Sequence, residues 1–204
     1  MSGFDTNTDP ALHAVAGRLA SMAGRGPVAF LSRLAGGKNN QVYRAEMEQG
    51  DPLVLKRYFS DPRDPRDRLA AEWEFLQFAW SRGERAIPQP LASDPASLTG
   101  LYTFLPGRKL SVSELGTAHV DAAIDFVLAV NATPRDPLAL APGSEACFSL
   151  AEHVDTVERR VARLRDLDPQ APHADEARRF VTKVLLPAWN AARTRIADAA
   201  AVRR

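Results

Sequence analysis

The sequence predicts an α+β fold: a small antiparallel sheet carrying one helix, followed by a half built from helices alone. Three observations point there. Between residues 28 and 110 apolar residues recur in short alternating runs separated by turn residues. One longer run at 68–81 keeps helical spacing in their midst. From about residue 111 strand signals cease and only helical spacing remains.

The elements follow in order. "DPALHAVAGRLASMAG" places Leu12, Val15, Leu19 and Met22 at helical spacing, with Pro10 near its start, where a missing N–H costs nothing. "VAFLSRLAGG" reads as a strand ending in glycines. "QVYRAEM" and "PLVLKRYF" are two further strands, and "EQGD" between them is a turn, so they form a hairpin. "SDPRDPRD" is a proline-punctuated loop. "RLAAEWEFLQFAWSRG" is a helix with Leu69, Trp73, Leu76 and Trp80 on one side, stopped at Gly83. "IPQPLASDPASLTG" reads as loop and turn, and "LYTFLPG" as a short strand running into a Pro-Gly stop. Beyond it, Val120, Ile124, Val127 and Leu128 share a helical face, as do Leu150, Val154, Val157, Val161 and Leu164. Pro187 ends or kinks the last helix. The expected division is an N-terminal extension at 1–27, a sheet lobe at 28–110 with about five strands, and a helical part at 111–204.

Composition excludes several classes of function. A formal net charge of +1 over 204 residues supplies no field for nucleic acid or an anionic membrane. The one cysteine, Cys147, can form neither an internal disulfide nor a Cys/His zinc site, which fits a reducing cytoplasm. The polar, acidic N-terminus lacks the pattern of a signal peptide, and no apolar run is long enough to span a bilayer. A cytoplasmic protein with neither nucleic acid nor membrane as its partner is expected.

The chemistry centres on Lys56, an ammonium inside the most apolar strand. Such a charge is costly unless it reaches water, an opposite charge or an anionic ligand. One reading puts it on the solvent face of an edge strand. The other makes it a phosphate-gripping lysine below a Gly36-Gly37 turn whose backbone amides approach a polyphosphate. The P-loop pattern is excluded, because Ser32 stands where its first glycine belongs and Asn39 where Ser or Thr must ligate magnesium. Order favours the second reading: glycine turn, hairpin, lysine in the second hairpin strand, then a helix bearing Glu72. A strand lysine fixed by a helix glutamate is how protein kinases hold ATP phosphates. Glu74 faces elsewhere, since residues two apart diverge on a helix. Lys56 and Glu72 are therefore expected within about 4 Å of each other.

Four segments, "LAGGKNNQVYRAEMEQGDPLVLKRYF", "RLAAEWEFLQFA", "IPQPLASD" and "LYTFLPGRKL", together resemble the N-terminal lobe of aminoglycoside phosphotransferase-like enzymes, the choline kinase relatives. The family's E-x-x-F-L is matched by Glu72, Phe75 and Leu76, its P-x-P by Pro88 and Pro90, and its hinge by Leu101, Phe104 and Gly107. The resemblance runs from about Leu31 to Leu110 and, more loosely, into the helices beyond. It implies a protein-kinase-like fold with a hinge at about 101–107, and ATP with magnesium as cofactor. It further implies that Lys56 contacts the α- and β-phosphates, that Glu72 orients it, that Gly36, Gly37, Asn39 and Asn40 line the phosphate loop, and that the backbone at Thr103, Phe104 and Leu105 receives adenine. The acceptor would be a small hydroxylated molecule.

The family's catalytic loop resembles H-x-D-x-x-x-x-N, in which the aspartate positions the acceptor hydroxyl and the asparagine holds magnesium. Three H-x-D triplets occur, beginning at His119, His153 and His173, but Phe126, Arg160 and Phe180 stand where the asparagine belongs. All three lie in helical patterns and read as surface histidines with aspartates near helix starts. The "DLD" at 166–168 reads as a helix terminus. The expectation is a truncated, fragmentary or non-catalytic relative, without magnesium ligands of its own. An incomplete helical lobe would leave an apolar face open to self-association.

Overall fold

The computed structural model describes residues 9–34, 40–61, 66–132, 140–143 and 146–202, with side chains through residue 197. The chain divides into two compact units, Met1–Gly143 and Ser144–Arg204.

The first unit runs α1 (Pro10–Met22), β1 (Val28–Arg33), β2 (Gln41–Met47), β3 (Leu53–Arg57), α2 (Arg68–Ser81), β4 (Pro90–Asp94), β5 (Thr99–Thr103), a 3-10 turn at Val112–Glu114 and α3 (Thr117–Asn131). Its five strands form one antiparallel sheet in the order β1-β2-β3-β5-β4, the α+β architecture expected. β4 is a correction, because "PLASD" lies within the segment read as loop and turn. It is an edge strand, the place where a sheet tolerates proline, and its register slips between Pro90 and Ala92.

Alternation along β3 gives the sheet two different faces. Leu53 and Leu55, with their neighbours Ala45 and Leu101, pack with Leu12, Ala16, Leu19 and Ala20 of α1. Each large aliphatic side chain in that layer stabilises the fold by about 1.5–3 kcal/mol relative to an exposed one. Val54 and Tyr102 instead join Leu76 and Ala79 of α2 and Ile87. Arg18 of α1 pairs with Asp94 at the end of β4, 2.5 Å away, tying the helix across the sheet. Lys56, two residues after Val54, shares the α2 face.

The bounds of α2 are set by its ends. Asp67 Oδ1 accepts a hydrogen bond from Ala70 N (2.8 Å), an N-cap that satisfies one amide of the first turn. At the other end Gly83 takes φ +88°, and the amides of Gly83 and Glu84 donate to Trp80 and Ala79 carbonyls. Asp67→Ala is expected to cost about 1 kcal/mol, read as a lower urea midpoint with an unchanged slope.

α3 forms as its periodicity predicts, yet Val120, Ile124, Val127 and Leu128 are 56%, 49%, 55% and 60% exposed. Phe126 is the α3 side chain packed against the α2 cluster. Periodicity marks which residues share a face but not what covers them.

The second unit contains α4 (Leu150–Arg163), α5 (Ala174–Phe180), a π-helical turn at Val181–Leu185 and α6 (Leu186–Val202). Val161, Ala174 and Val181 are buried, and Trp189 Nε1 donates to Glu158 Oε2 (2.6 Å), joining α6 to α4. Leu150 and Leu164 of the expected α4 face are exposed at its two ends. The helix at Pro187 neither ends nor breaks. The wider π turn just before it takes up the geometry that a proline without an N–H imposes.

Candidate functional site

Lys56 is in the apolar strand because its neighbours Leu55 and Arg57 point the other way. Across the ladder it pairs with Val42 of β2 and Gly100 of β5, while Val54 pairs with Arg44 and Tyr102. The α2 face of the sheet thus presents Val42, Arg44, Val54, Lys56, Gly100 and Tyr102. Lys56 Nζ lies 2.5 Å from Glu72 Oε2, and the two side chains are 20% and 36% exposed. The lysine sits in a central strand, so the edge-strand reading fails and the expected pairing with Glu72 is formed. Partial exposure keeps the pair's own stabilisation to about 1 kcal/mol or less. Its effect is to fix the ammonium of a partly exposed lysine beside α2.

Two tyrosines stand beside this pair. Lys56 Nζ lies 4.8 Å from the centroid of the Tyr58 ring, an attractive cation–π geometry. Tyr58 Oη and Tyr102 Oη are 2.7 Å apart, and both residues are buried. Burial pushes both phenols up, Tyr58 well beyond its ordinary value and Tyr102 to about 12, and the nearby Glu72 charge adds to each shift. Sequence reading missed both. Their signal was the i+2 spacing from Lys56 to Tyr58 and from Gly100 to Tyr102.

The ladder between β3 and β5 ends at Thr103. Thr103 is clamped to the chain before β4: its amide donates to Gln89 O (3.0 Å) and its hydroxyl accepts from Gln89 N (2.8 Å). That uses the Thr103 amide. The backbone of Phe104 and Leu105 lies beyond the ladder, with Leu105 exposed. Arg44 stacks on the Phe104 ring, 4.7 Å from its centroid, and pairs with Glu46. Downstream, Arg108 and Ser111 bind Glu114 and hold its carboxyl down to about 2, the Arg108 hydrogen bond contributing most. A carboxyl depressed in the fold contributes its stability above the unfolded value of about 4.3 and loses it as pH falls through about 2. An NMR titration of the Glu114 carboxyl carbon is expected to show its midpoint near that lower value.

The remaining expected residues divide. Gly36, Gly37 and Asn39 lie outside the described residues. Asn40 immediately precedes β2, and its Oδ1 accepts from Phe59 N (3.1 Å), joining the entry of β2 to the exit of β3. The three H-x-D triplets lie on or at the starts of helices α3, α4 and α5 with their His and Asp side chains exposed, and His119 Nδ1 accepts from Gly116 N (3.1 Å) at the start of α3. No three His, Cys, Asp or Glu side chains gather as a metal centre among the described residues. Among them, too, no helix is long and apolar enough to cross a membrane.

A five-stranded antiparallel sheet whose central lysine is paired to the helix that follows is the arrangement with which protein kinases hold ATP phosphates. Residues 31–198 match the model of the phosphotransferase enzyme family, and the chain belongs to that family. No curated protein matches it. Among solved structures it is similar to one described as a candidate fructosamine-3-kinase from Thermobifida fusca YX-ER1, with 22% identity and a TM-score of 0.37. The similarity covers 48% of this chain and 33% of that one, so the chain spans about a third of that structure.

Proposed function

We propose that this chain is the ATP-binding portion of a small-molecule kinase that phosphorylates a hydroxyl group. The observation that carries the reading is the Lys56–Glu72 pair on a solvent-reachable face of the sheet. The residues present fit a nucleoside polyphosphate. Lys56 supplies a positioned cation for phosphate oxygens, Glu72 holds it, and Val42 and Val54 share its face as an apolar surface for a base. Phe104 and Leu105 supply backbone groups for the adenine edge. Thr103 serves by fixing the start of that segment through Gln89 rather than by its own amide.

Magnesium would neutralise charge on the transferring phosphate. Neither the sequence nor the described residues hold a recognisable set of ligands for it, and no base of the family's pattern is found. The 204-residue chain by itself therefore binds ATP weakly and transfers no phosphate. That same absence of H-x-D-x-x-x-x-N favours a second reading, a non-catalytic kinase-like binding module.

The test is a titration of the purified chain with a fluorescent ATP analogue, joined to a phosphotransfer assay with ATP, magnesium, aminoglycosides and amino alcohols. Binding in the high micromolar to millimolar range without turnover is expected. No binding at millimolar nucleotide would remove the ATP reading, and turnover near 1 per second would reveal a catalytic loop that the sequence pattern conceals.

A further inference from the structure

Gly100 stands opposite Lys56 in the ladder between β3 and β5. A Cβ built there would collide with Tyr102 Oη and lie 2.7 Å from Tyr102 Cζ. The Tyr102 ring therefore leans along β5 through space that only glycine leaves open, crossing the lysine's own row. At the end of that path its hydroxyl meets Tyr58 Oη, 2.7 Å away. The Tyr102 ring also tilts against Trp73, with centroids 5.8 Å apart at 55°, and Trp73 is the residue next to Glu72. One buried ring thus touches β5, the Glu72 turn of α2 and, through its hydroxyl, the ring beside the ammonium of Lys56.

We propose that Tyr58 and Tyr102 are positioning residues for the phosphate-gripping lysine. Their hydroxyl bridge fixes the Tyr58 ring against the Lys56 ammonium and the Trp73 turn against β5, so that Lys56 and Glu72 meet in one geometry before any nucleotide arrives. Burial keeps both phenols protonated, with the Glu72 charge adding to that, so the bridge is a neutral donor–acceptor pair and Glu72 supplies the lysine's counter-charge. The functional meaning of this device rests on the nucleotide reading above.

The test uses the full chain and reads Lys56 without nucleotide. Tyr102→Phe keeps the ring against Trp73 and removes its hydroxyl, and Tyr58→Phe does the same from the other side. Each protein is acylated with an N-hydroxysuccinimide ester, and peptide mass spectrometry compares Lys56 with the exposed Lys109 and Lys183 of the same sample. An amine released from a fixed ion pair reacts faster, so either variant is expected to raise the Lys56/Lys109 ratio by about threefold or more. The double variant should do no more than Tyr58→Phe alone, because either substitution deletes the bridge and Tyr58→Phe also removes the hydroxyl that faces Glu72. A ratio unchanged in both variants, with or without a fall in Tm, overturns the proposal and leaves the tyrosines as packing. A general loss of fold would raise Lys56 and make the double variant exceed Tyr58→Phe alone, which also counts against it. Wild-type chain that fails to bind ATP overturns the nucleotide reading alone, since the ratio is read in its absence.

Discussion

Lys56→Ala is expected to weaken ATP affinity by roughly ten- to a hundredfold, the value of one charge-assisted contact to phosphate. Two effects add. The variant loses the cation, and it leaves the Glu72 carboxylate facing the incoming phosphates with no charge between them. Glu72→Ala keeps the cation but releases its tether, so its loss is smaller. The double variant should lose less than the two single losses combined, because removing Glu72 also removes the repulsion that Lys56→Ala exposes. Calorimetric titration of the four proteins measures all three quantities. Simple additivity would mean that the two side chains act on nucleotide independently.

Leu55→Ala is expected to have the largest effect on stability. Leu55 is fully buried between Leu101 and the α1 layer, one residue from Lys56 and on the opposite face of the sheet. Truncation deletes three carbons in a layer already filled by leucines, so a cavity remains and the cost is about 2–5 kcal/mol. That is a large part of the roughly 5–15 kcal/mol by which domains of this kind are stable. A thermal melt followed by circular dichroism should show the loss. A change below about 0.5 kcal/mol would place Leu55 at the surface and break the alternation that points Lys56 toward α2.

That alternation explains how much of the site could be read from the sequence. "PLVLKRYF" carries large aliphatic residues at Leu53 and Leu55, enough to fix one buried face and so to send Lys56 to the other. The helix at Arg68–Ser81 was legible because Gly83 marks its end and Leu69 and Leu76 recur at helical spacing on its buried side. β4 was not, since "PLASD" is short, begins with proline and has small side chains, and it is held by pairing with β5 that no local pattern records. Pro187 was legible as a perturbation, while the π turn that absorbs it depends on the backbone before it. Tyr58 and Tyr102 lie far apart in sequence and meet across Gly100. Such a contact depends on register, and the register emerges only when the sheet is assembled.

The central claim is that nucleotide phosphates meet Lys56. It is tested most directly by acylating wild-type chain with and without millimolar ATP and reading Lys56 against Lys109 and Lys183. ATP is expected to slow Lys56 acylation several-fold, AMP to do so little, and neither to alter the other two lysines. Equal reaction of Lys56 with and without saturating ATP would contradict the claim.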